Sequence, residues 1–190
     1  MRQLMMLHKL DFIPDCPVPE GFSIRTYEPG DEVKWVEICK HGLCGPDATL
    51  DAWRDAILNR ETIVPSRDVF FVCRGNEPVA TITGYVRPDG RGDIHMVACR
   101  EDARGHGIGK AMLSHAMKKL KADLPGDGQL VELTTDDFRL PAVVVYLRGG
   151  FHPVLYDEGM EERWRAVCAK LGMGGGEMLT EEGEPTGIVI

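Results

Sequence analysis

A chain of 190 residues with 43% hydrophobic content is long enough for one substantial core, and length favours a single domain. Its net charge of −8 argues against general nucleic-acid binding and suits a cationic or amine substrate. No apolar run approaches a membrane span, the opening MRQLMMLHKLDF is too short in apolar residues for a signal-peptide core, and six cysteines without CxxC spacing predict reduced thiols rather than a zinc site, so a cytoplasmic location is expected.

The predicted elements run as follows. Phe22, Ile24 and Thr26 alternate with polar residues, a strand that ends at Pro29-Gly30. Val33, Val36 and Cys39, beside Trp35 and Ile38, mark a helix closed by Gly42, and Thr49 caps a second helix carrying Leu50, Trp53 and Ile57 on one face. DVFFVCR and VATITGYV, separated by Gly75-Asn76-Glu77-Pro78, read as a hairpin, and DIHMVAC as a third strand. A helix with Met112, Leu113, Ala116, Met117 and Leu120 follows, then a strand QLVELTT and a helix with Pro141 in its first turn that ends at Gly149-Gly150. FHPVLY is a final strand, and Met160, Trp164, Val167, Cys168 and Leu171 stripe a terminal helix closed by Gly172.

The order βααβββαβαβ plus a C-terminal helix indicates an α/β fold with a mixed sheet layered by helices. One domain over residues 1–173 is expected, with its core at about 22–156 and the terminal helix at about 159–171. Residues 174–190 read as a flexible, Gly-rich acidic tail, ordered only if Gly187 to Ile190 docks on a sheet edge.

The most informative residues are RGHGIG, Arg104 to Gly109, at the junction of the third strand and its helix. The first amides of a helix have no partner within it and carry the positive end of its dipole, so an anion there gains hydrogen bonds and Coulomb energy. Gly105, Gly107 and Gly109 remove the Cβ atoms that would hold a pyrophosphate away from the backbone. A glycine-rich turn without a ligand remains the alternative. The P-loop and the GxGxxG fingerprint are excluded, the first by Arg104 and Ala111, the second by Lys110. Arg100, Arg104, His106, Lys110, Lys118, Lys119 and Lys121 make the neighbourhood basic, which a solvated helix face also explains in part.

The stretch VACREDARGHGIGKAML, Val97 to Leu113, resembles the acyl-CoA-binding motif of the GNAT superfamily of N-acyltransferases. LTTDDFRLPAVVVYLRGGF, Leu133 to Phe151, is similar to the strand, helix and Tyr-x-x-x-Gly-Phe segment that follows it in that family. The resemblance covers most of Phe22 to Pro153 and implies a mostly antiparallel central sheet flanked by helices. It further implies acetyl-CoA as co-substrate, no metal, and direct attack by an amine in a ternary complex.

Carried over, the diphosphate rests on Arg104, Gly105, His106, Gly107, Ile108, Gly109 and Lys110, and pantetheine runs beside Val97, Ala98 and Cys99. Arg139 and Ala142 complete the cofactor-binding set, and Tyr146 falls at the position of the family's general acid. Glu101 departs from the pattern, which often has proline there. TTDDFRLPA resembles a mycothiol synthase-like subgroup, from which no substrate identity carries over.

Some group must take a proton from the attacking amine, and His95 and Glu132, with Asp93 and Asp136 behind them, are the candidates; a structural role is the alternative for each. Tyr146 without the resemblance reads as a core tyrosine, and Cys99 as a packing residue rather than a nucleophile. The expected partners are acetyl-CoA and an amine acceptor, with no nucleic acid and no membrane, and the sequence leaves a homodimer open. The rival functions are a non-catalytic acyl-CoA sensor and, further off, an interaction protein that binds no CoA.

Overall fold

The computed structural model describes residues 2–40, 42–126 and 128–190. In chain order its elements are β1 (Leu4–His8), β2 (Phe22–Thr26), α1 (Asp31–Lys40), α2 (Leu50–Trp53), α3 (Pro65–Asp68), β3 (Val69–Arg74), β4 (Glu77–Val86), β5 (Gly92–Cys99), α4 (Ile108–Asp123), β6 (Val131–Thr135), α5 (Leu140–Arg148), β7 (His152–Pro153), α6 (Met160–Leu171), β8 (Glu177–Leu179) and β9 (Pro185–Val189). The architecture is α/β, and the strand pairs within each part are antiparallel. Where length favours one domain, the residues gather into two compact units, 15–124 and 1–14 with 125–190.

In the unit of residues 15–124, β2, β3, β4 and β5 form an antiparallel meander. β3 and β4 are buried along nearly their whole length, so they read as continuous apolar runs without alternation. Trp35, Ile38 and Cys39 of α1 and Trp53 of α2 join Phe71 and Tyr85 in one core cluster. On β4, Gly84 turns toward α4, where an added Cβ would stand 3.2 Å from that of Ala116. α4 buries Ile108, Ala111, Met112, Leu113, Ala116, Met117 and Leu120, the stripe its sequence predicts.

The helices preceding β3 differ from expectation. Val33 and Leu50, counted on the apolar faces, are 49% and 46% exposed. Thr49 caps α2 as predicted, its hydroxyl accepting from the Asp51 amide, but after one turn the backbone widens into a π-turn over residues 54–58. Asn59 N–H then reaches Arg54 O at 2.8 Å, and the rotation puts Ile57 in the core while Leu50 faces out.

Asp68 closes α3, an element the sequence reading did not contain. Its carboxylate is fully buried and accepts from the Val64 amide (2.7 Å), from Arg67 Nε (2.8 Å) and from Lys119, which also contacts Gly84 O at 2.9 Å and Asp123 at 2.7 Å. Burial raises its pKa, yet the bonds from Arg67, Lys119 and Val64 together hold it below the usual carboxylate range.

In the other unit β1 lies between β6 and β7. β1 carries no signal in the sequence, because a central strand buried on both faces gives LMMLH no alternation. β7 is only two residues of the expected FHPVLY, and Pro153 removes a ladder donor there. The turn after α5 is tight. Gly150 has φ +93°, and a Cβ on it would stand 2.8 Å from His8 Nε2, so only glycine lets the chain pass the buried histidine.

Residues 174–190, expected as a flexible tail, instead form the β8–β9 hairpin. Met178 and Leu179 are buried, Leu155 N–H donates to Leu179 O at 2.8 Å, and Gly183 at φ +83° makes the turn. Two apolar residues thus outweigh the composition of their surroundings. α6 and its Gly172 cap are as expected. Among the described residues no helix is long and apolar enough to cross a membrane.

Removing the Asp68 carboxylate leaves Lys119, whose side chain is only 15% exposed, with Asp123 and Gly84 O alone and the Val64 amide without its acceptor, so Asp68→Ala is expected to cost about 2–3 kcal/mol in urea denaturation at pH 7. A carboxylate with a depressed folded pKa stabilises above its unfolded value and loses that contribution as pH falls through the folded one. The difference between the two proteins should therefore shrink toward acid pH.

Candidate active site

β5 leads into a single 3-10 turn, Glu101–Ala103, and then into the glycine loop. Ala103 is buried and anchors the turn, whereas Arg104, Gly105, His106, Gly107 and Lys110 are exposed. Hydrogen bonding along the backbone stops at Arg104 N–H to Glu101 O (3.2 Å) and resumes at Lys110 N–H to Gly107 O (3.2 Å). Among the described residues the amides of Gly105, His106, Gly107, Ile108 and Gly109 have no protein partner.

Gly105 and Gly107 have φ of +82° and +80°, and Gly107 is the N-cap of α4 with no side chain to cap it. A Cβ on Gly105 would meet nothing within 4 Å, and one on Gly107 only Pro19 Cγ at 3.9 Å. The space over the loop is open, while the backbone conformation favours glycine. Gly109 lies inside the first turn of α4 and serves there by its missing side chain alone.

The basic character expected around the loop is partly spent. Arg100 pairs with Asp102 and Glu77, Lys118 with Asp15, and Lys119 with Asp68 and Asp123. Arg104 bonds Cys99 O through Nε at 3.3 Å and stands 3.7 Å from Glu101. His106 Nδ1 lies 3.0 Å from Arg104 O, which makes that nitrogen the donor, and the ring tilts against Phe22.

Val97, Ala98 and Cys99 are half-buried on the last turn of β5 before the loop. Immediately before them Met96 takes φ +50°, a left-handed conformation that costs a non-glycine residue about 1–3 kcal/mol. The register records why: Thr83 faces His95 and Thr81 faces Ala98, so β5 carries one residue more than β4 and bulges. Nothing in the sequence DIHMVAC signals this bulge, since methionine has no left-handed preference. Cys99 is an inert thiol, raised by burial and bonded to Arg100 O at 3.3 Å.

His95 Nε2 stands 3.1 Å from Ala56 O in the π-turn and so carries the proton, leaving Nδ1 as the basic nitrogen. Burial and then the charge of Arg60 lower its pKa to about 4, against the opposing bond to Ala56 O, so the ring is neutral at pH 7.

The remaining predicted residues lie in the other unit, on β6 and α5. Glu132 is buried on β6 opposite Leu7. Arg139 is committed to Asp136, Nε to Oδ2 at 2.8 Å, and lies over the exposed ring of Phe138. Ala142 is half-buried, its N–H bonded to Arg139 O at 2.9 Å in the first turn of α5. One turn on, Tyr146 is buried with its ring edge against Phe151, and its hydroxyl has no hydrogen-bond partner among the described residues. Burial pushes the phenol pKa well up, with the charge of Arg139 opposing.

Residues 32–151 match the model of the acetyltransferase (GNAT) family. Mycothiol acetyltransferases of Thermomonospora curvata and Streptomyces bingchenggensis are 29% and 31% identical to the chain, each over 73% of it and over 47% and 46% of their own length. The chain therefore spans about half the length of the curated relatives it matches. Among solved structures, a GCN5-related N-acetyltransferase from Sphaerobacter thermophilus superposes with a TM-score of 0.64 at 27% identity, covering 80% of this chain and 49% of that one.

A histidine that stays neutral when folded but protonates near 6.5 when unfolded withdraws stability as pH falls between those values. His95→Gln is expected to flatten the acid side of the stability–pH curve, with wild type losing about 2 kcal/mol more than the variant between pH 7 and 4.5 by urea denaturation. Parallel curves would mean that the ring is solvated.

Proposed function

Because the chain belongs to the acetyltransferase (GNAT) family, we propose that it moves an acetyl group from acetyl-CoA to a primary amine by direct attack in a ternary complex. The observation that carries this reading is the run of unpartnered amides from Gly105 to Gly109 at the mouth of α4. Each can donate to a diphosphate oxygen, the helix dipole favours the charge, and the space above Gly105 is open. Arg104 and Lys110 are the exposed cations beside it.

Pantetheine then runs along Val97, Ala98 and Cys99, past the bulge at Met96. A backbone amide aimed at the developing oxyanion contributes about 3 kcal/mol to lowering the barrier. An amine of pKa near 10.4 is neutral in only a few molecules per ten thousand at pH 7, so its proton must leave before or during attack. Glu132 and the Nδ1 of His95 are the proposed acceptors. With a pKa of about 4 His95 passes a proton on rather than keeping it.

As the N–C bond forms and the C–S bond breaks, Tyr146 gives its phenolic proton to the departing thiolate. Its raised pKa keeps the phenol protonated across the physiological range but also makes it a weaker acid than a free tyrosine, so the proton moves only as charge builds on sulfur. The names of the curated relatives supply the first acceptor to try, a thiol-bearing amine of the mycothiol type.

Incubation with acetyl-CoA and an amine panel that includes such a thiol amine, with CoA release followed by chromatography, tests the activity. Tight acetyl-CoA binding without CoA release across the panel would favour the sensor. Tyr146→Phe should lower kcat at least about tenfold while acetyl-CoA affinity stays within a few-fold, and an unchanged kcat removes the tyrosine from the reaction. Gly107→Val should weaken acetyl-CoA binding by more than about tenfold in calorimetry, since valine cannot hold the left-handed conformation that aims the amides.

A further inference from the structure

His8 ends β1 with its ring fully buried. Its Nδ1 accepts from the Leu10 amide at 2.8 Å, so in the neutral ring the proton sits on Nε2. That Nε2 is buried as well and has no hydrogen-bond partner among the described residues. It faces the turn after α5, 2.8 Å from the place a Cβ on Gly150 would take, and Phe12 O stands 3.6 Å from the same place. The short run from Lys9 to Phe12 is thus folded back against that turn, and Leu10 takes a left-handed conformation, φ +57°, to do so.

We propose that His8 is an acid-sensitive latch: its neutral ring ties the run from Lys9 to Phe12 to the turn after α5, and its charged ring releases it. A proton added at Nδ1 turns the acceptor of the Leu10 bond into a second donor, so two N–H groups face one another where one bond stood. The new charge also lies in a site closed to solvent. Release lets Leu10 leave the left-handed region, and that relief favours the open form. Burial lowers the pKa of the ring, against the opposing pull of Asp11 and of the Phe12 and Gly149 backbone, and His152 on β7 lowers it further. Across the ladder β6 presents Val131, with Glu132 on the other face of the sheet, and Arg148 at the end of α5 is exposed. Among the charged groups around the ring, Asp11 alone favours its charged form.

The turn that the latch covers closes the helix that carries Tyr146. Gly150 N–H donates to Leu147 O and Phe151 N–H to Tyr146 O, each at 3.1 Å. The Phe151 ring stands edge-on to His8 at 5.2 Å and to Tyr146 at 6.1 Å. Opening therefore loosens the end of α5 together with the run after β1. A histidine kept neutral by folding withdraws stability as pH falls below its ordinary value of about 6.5, here from one segment before the rest. The latch stands on this packing alone and not on any part in catalysis.

Amide hydrogen exchange of the full chain, followed residue by residue by NMR at pH 7.5 and 5.0 and corrected for intrinsic rates, decides the matter. Leu10 protection should fall at least about tenfold between the two, with Gly150 and Phe151 following, while Val167 inside α6 of the same unit keeps its own. His8→Asn puts an oxygen that takes no proton in the place of Nδ1, so its Leu10 protection should stay level across the range. His8→Gln puts its amide in the place of Nε2 instead and should leave Leu10 poorly protected at both pH values. Equal Leu10 protection at the two pH values in wild type overturns the proposal, as does an acid loss that His8→Asn shares or one that Val167 shows to the same degree. Should neither variant fold, the wild-type comparison of Leu10 with Val167 decides alone.

Discussion

A helix that begins in a glycine turn leaves its first peptide nitrogens without partners, and in this chain the turn before α4 extends the shortage back to Gly105. Gly107 caps α4 without a side-chain bond, as Gly159 caps α6, at a cost of only about a few tenths of a kcal/mol relative to Ser, Thr, Asp or Asn. The stability of α4 comes instead from its buried stripe, Ile108 through Leu120, against the sheet of its own unit. Packing therefore frees the N-terminus from structural duty. The same five nitrogens that weaken the helix start are what an anionic group needs, and the proposed chemistry depends on that exchange.

A second pair of irregularities stands in the same unit. α2 widens into a π-turn at residues 54–58, and β5 bulges at Met96 with its backbone in the left-handed region. They are joined by one contact, His95 Nε2 to Ala56 O. Both distortions cost energy that regular helix and strand would keep, and the surrounding cluster of Trp35, Trp53, Ile57, Phe71 and Tyr85 holds them in place. The result fixes the tautomer of a half-buried imidazole two residues before Val97 to Cys99. In physical terms a neutral, oriented ring is a hydrogen-bonding group first and a base second.

The sequence made legible whatever depends on local period and turn chemistry. β2 alternates, Gly75-Asn76 joins β3 to β4, Thr49 caps α2, and Gly105 with Gly107 announces the loop, because each signal is carried by residues within a few positions of one another. β1 was hidden since Leu4 to His8 is buried by strands that come from residues 131–135 and 152–153, and no local pattern records that. The β8–β9 hairpin escaped for the same reason: its anchor, Leu179, meets Leu155 and Val154. The bulge at Met96 and the disposition of Tyr146 are likewise products of register and burial rather than of residue type. Sequence singled out Tyr146 by position in a motif, and only the fold shows its hydroxyl unpaired.

Electrostatics narrows what can hold a diphosphate here. Three of the cations gathered near the loop in sequence are neutralised by carboxylates of their own unit: Arg100 by Asp102 and Glu77, Lys118 by Asp15, Lys119 by Asp68. The whole chain carries −8, so at long range it repels a polyanion rather than steering it in. Attraction must then be short-ranged, supplied by peptide nitrogens within hydrogen-bond reach and by Arg104 and Lys110 beside them. Added salt screens the long-range repulsion as well as the few side-chain attractions, while hydrogen bonds to fixed amides are affected least. A site built this way depends on backbone shape more than on charge, which is why the left-handed glycines matter more to it than the basic residues around them.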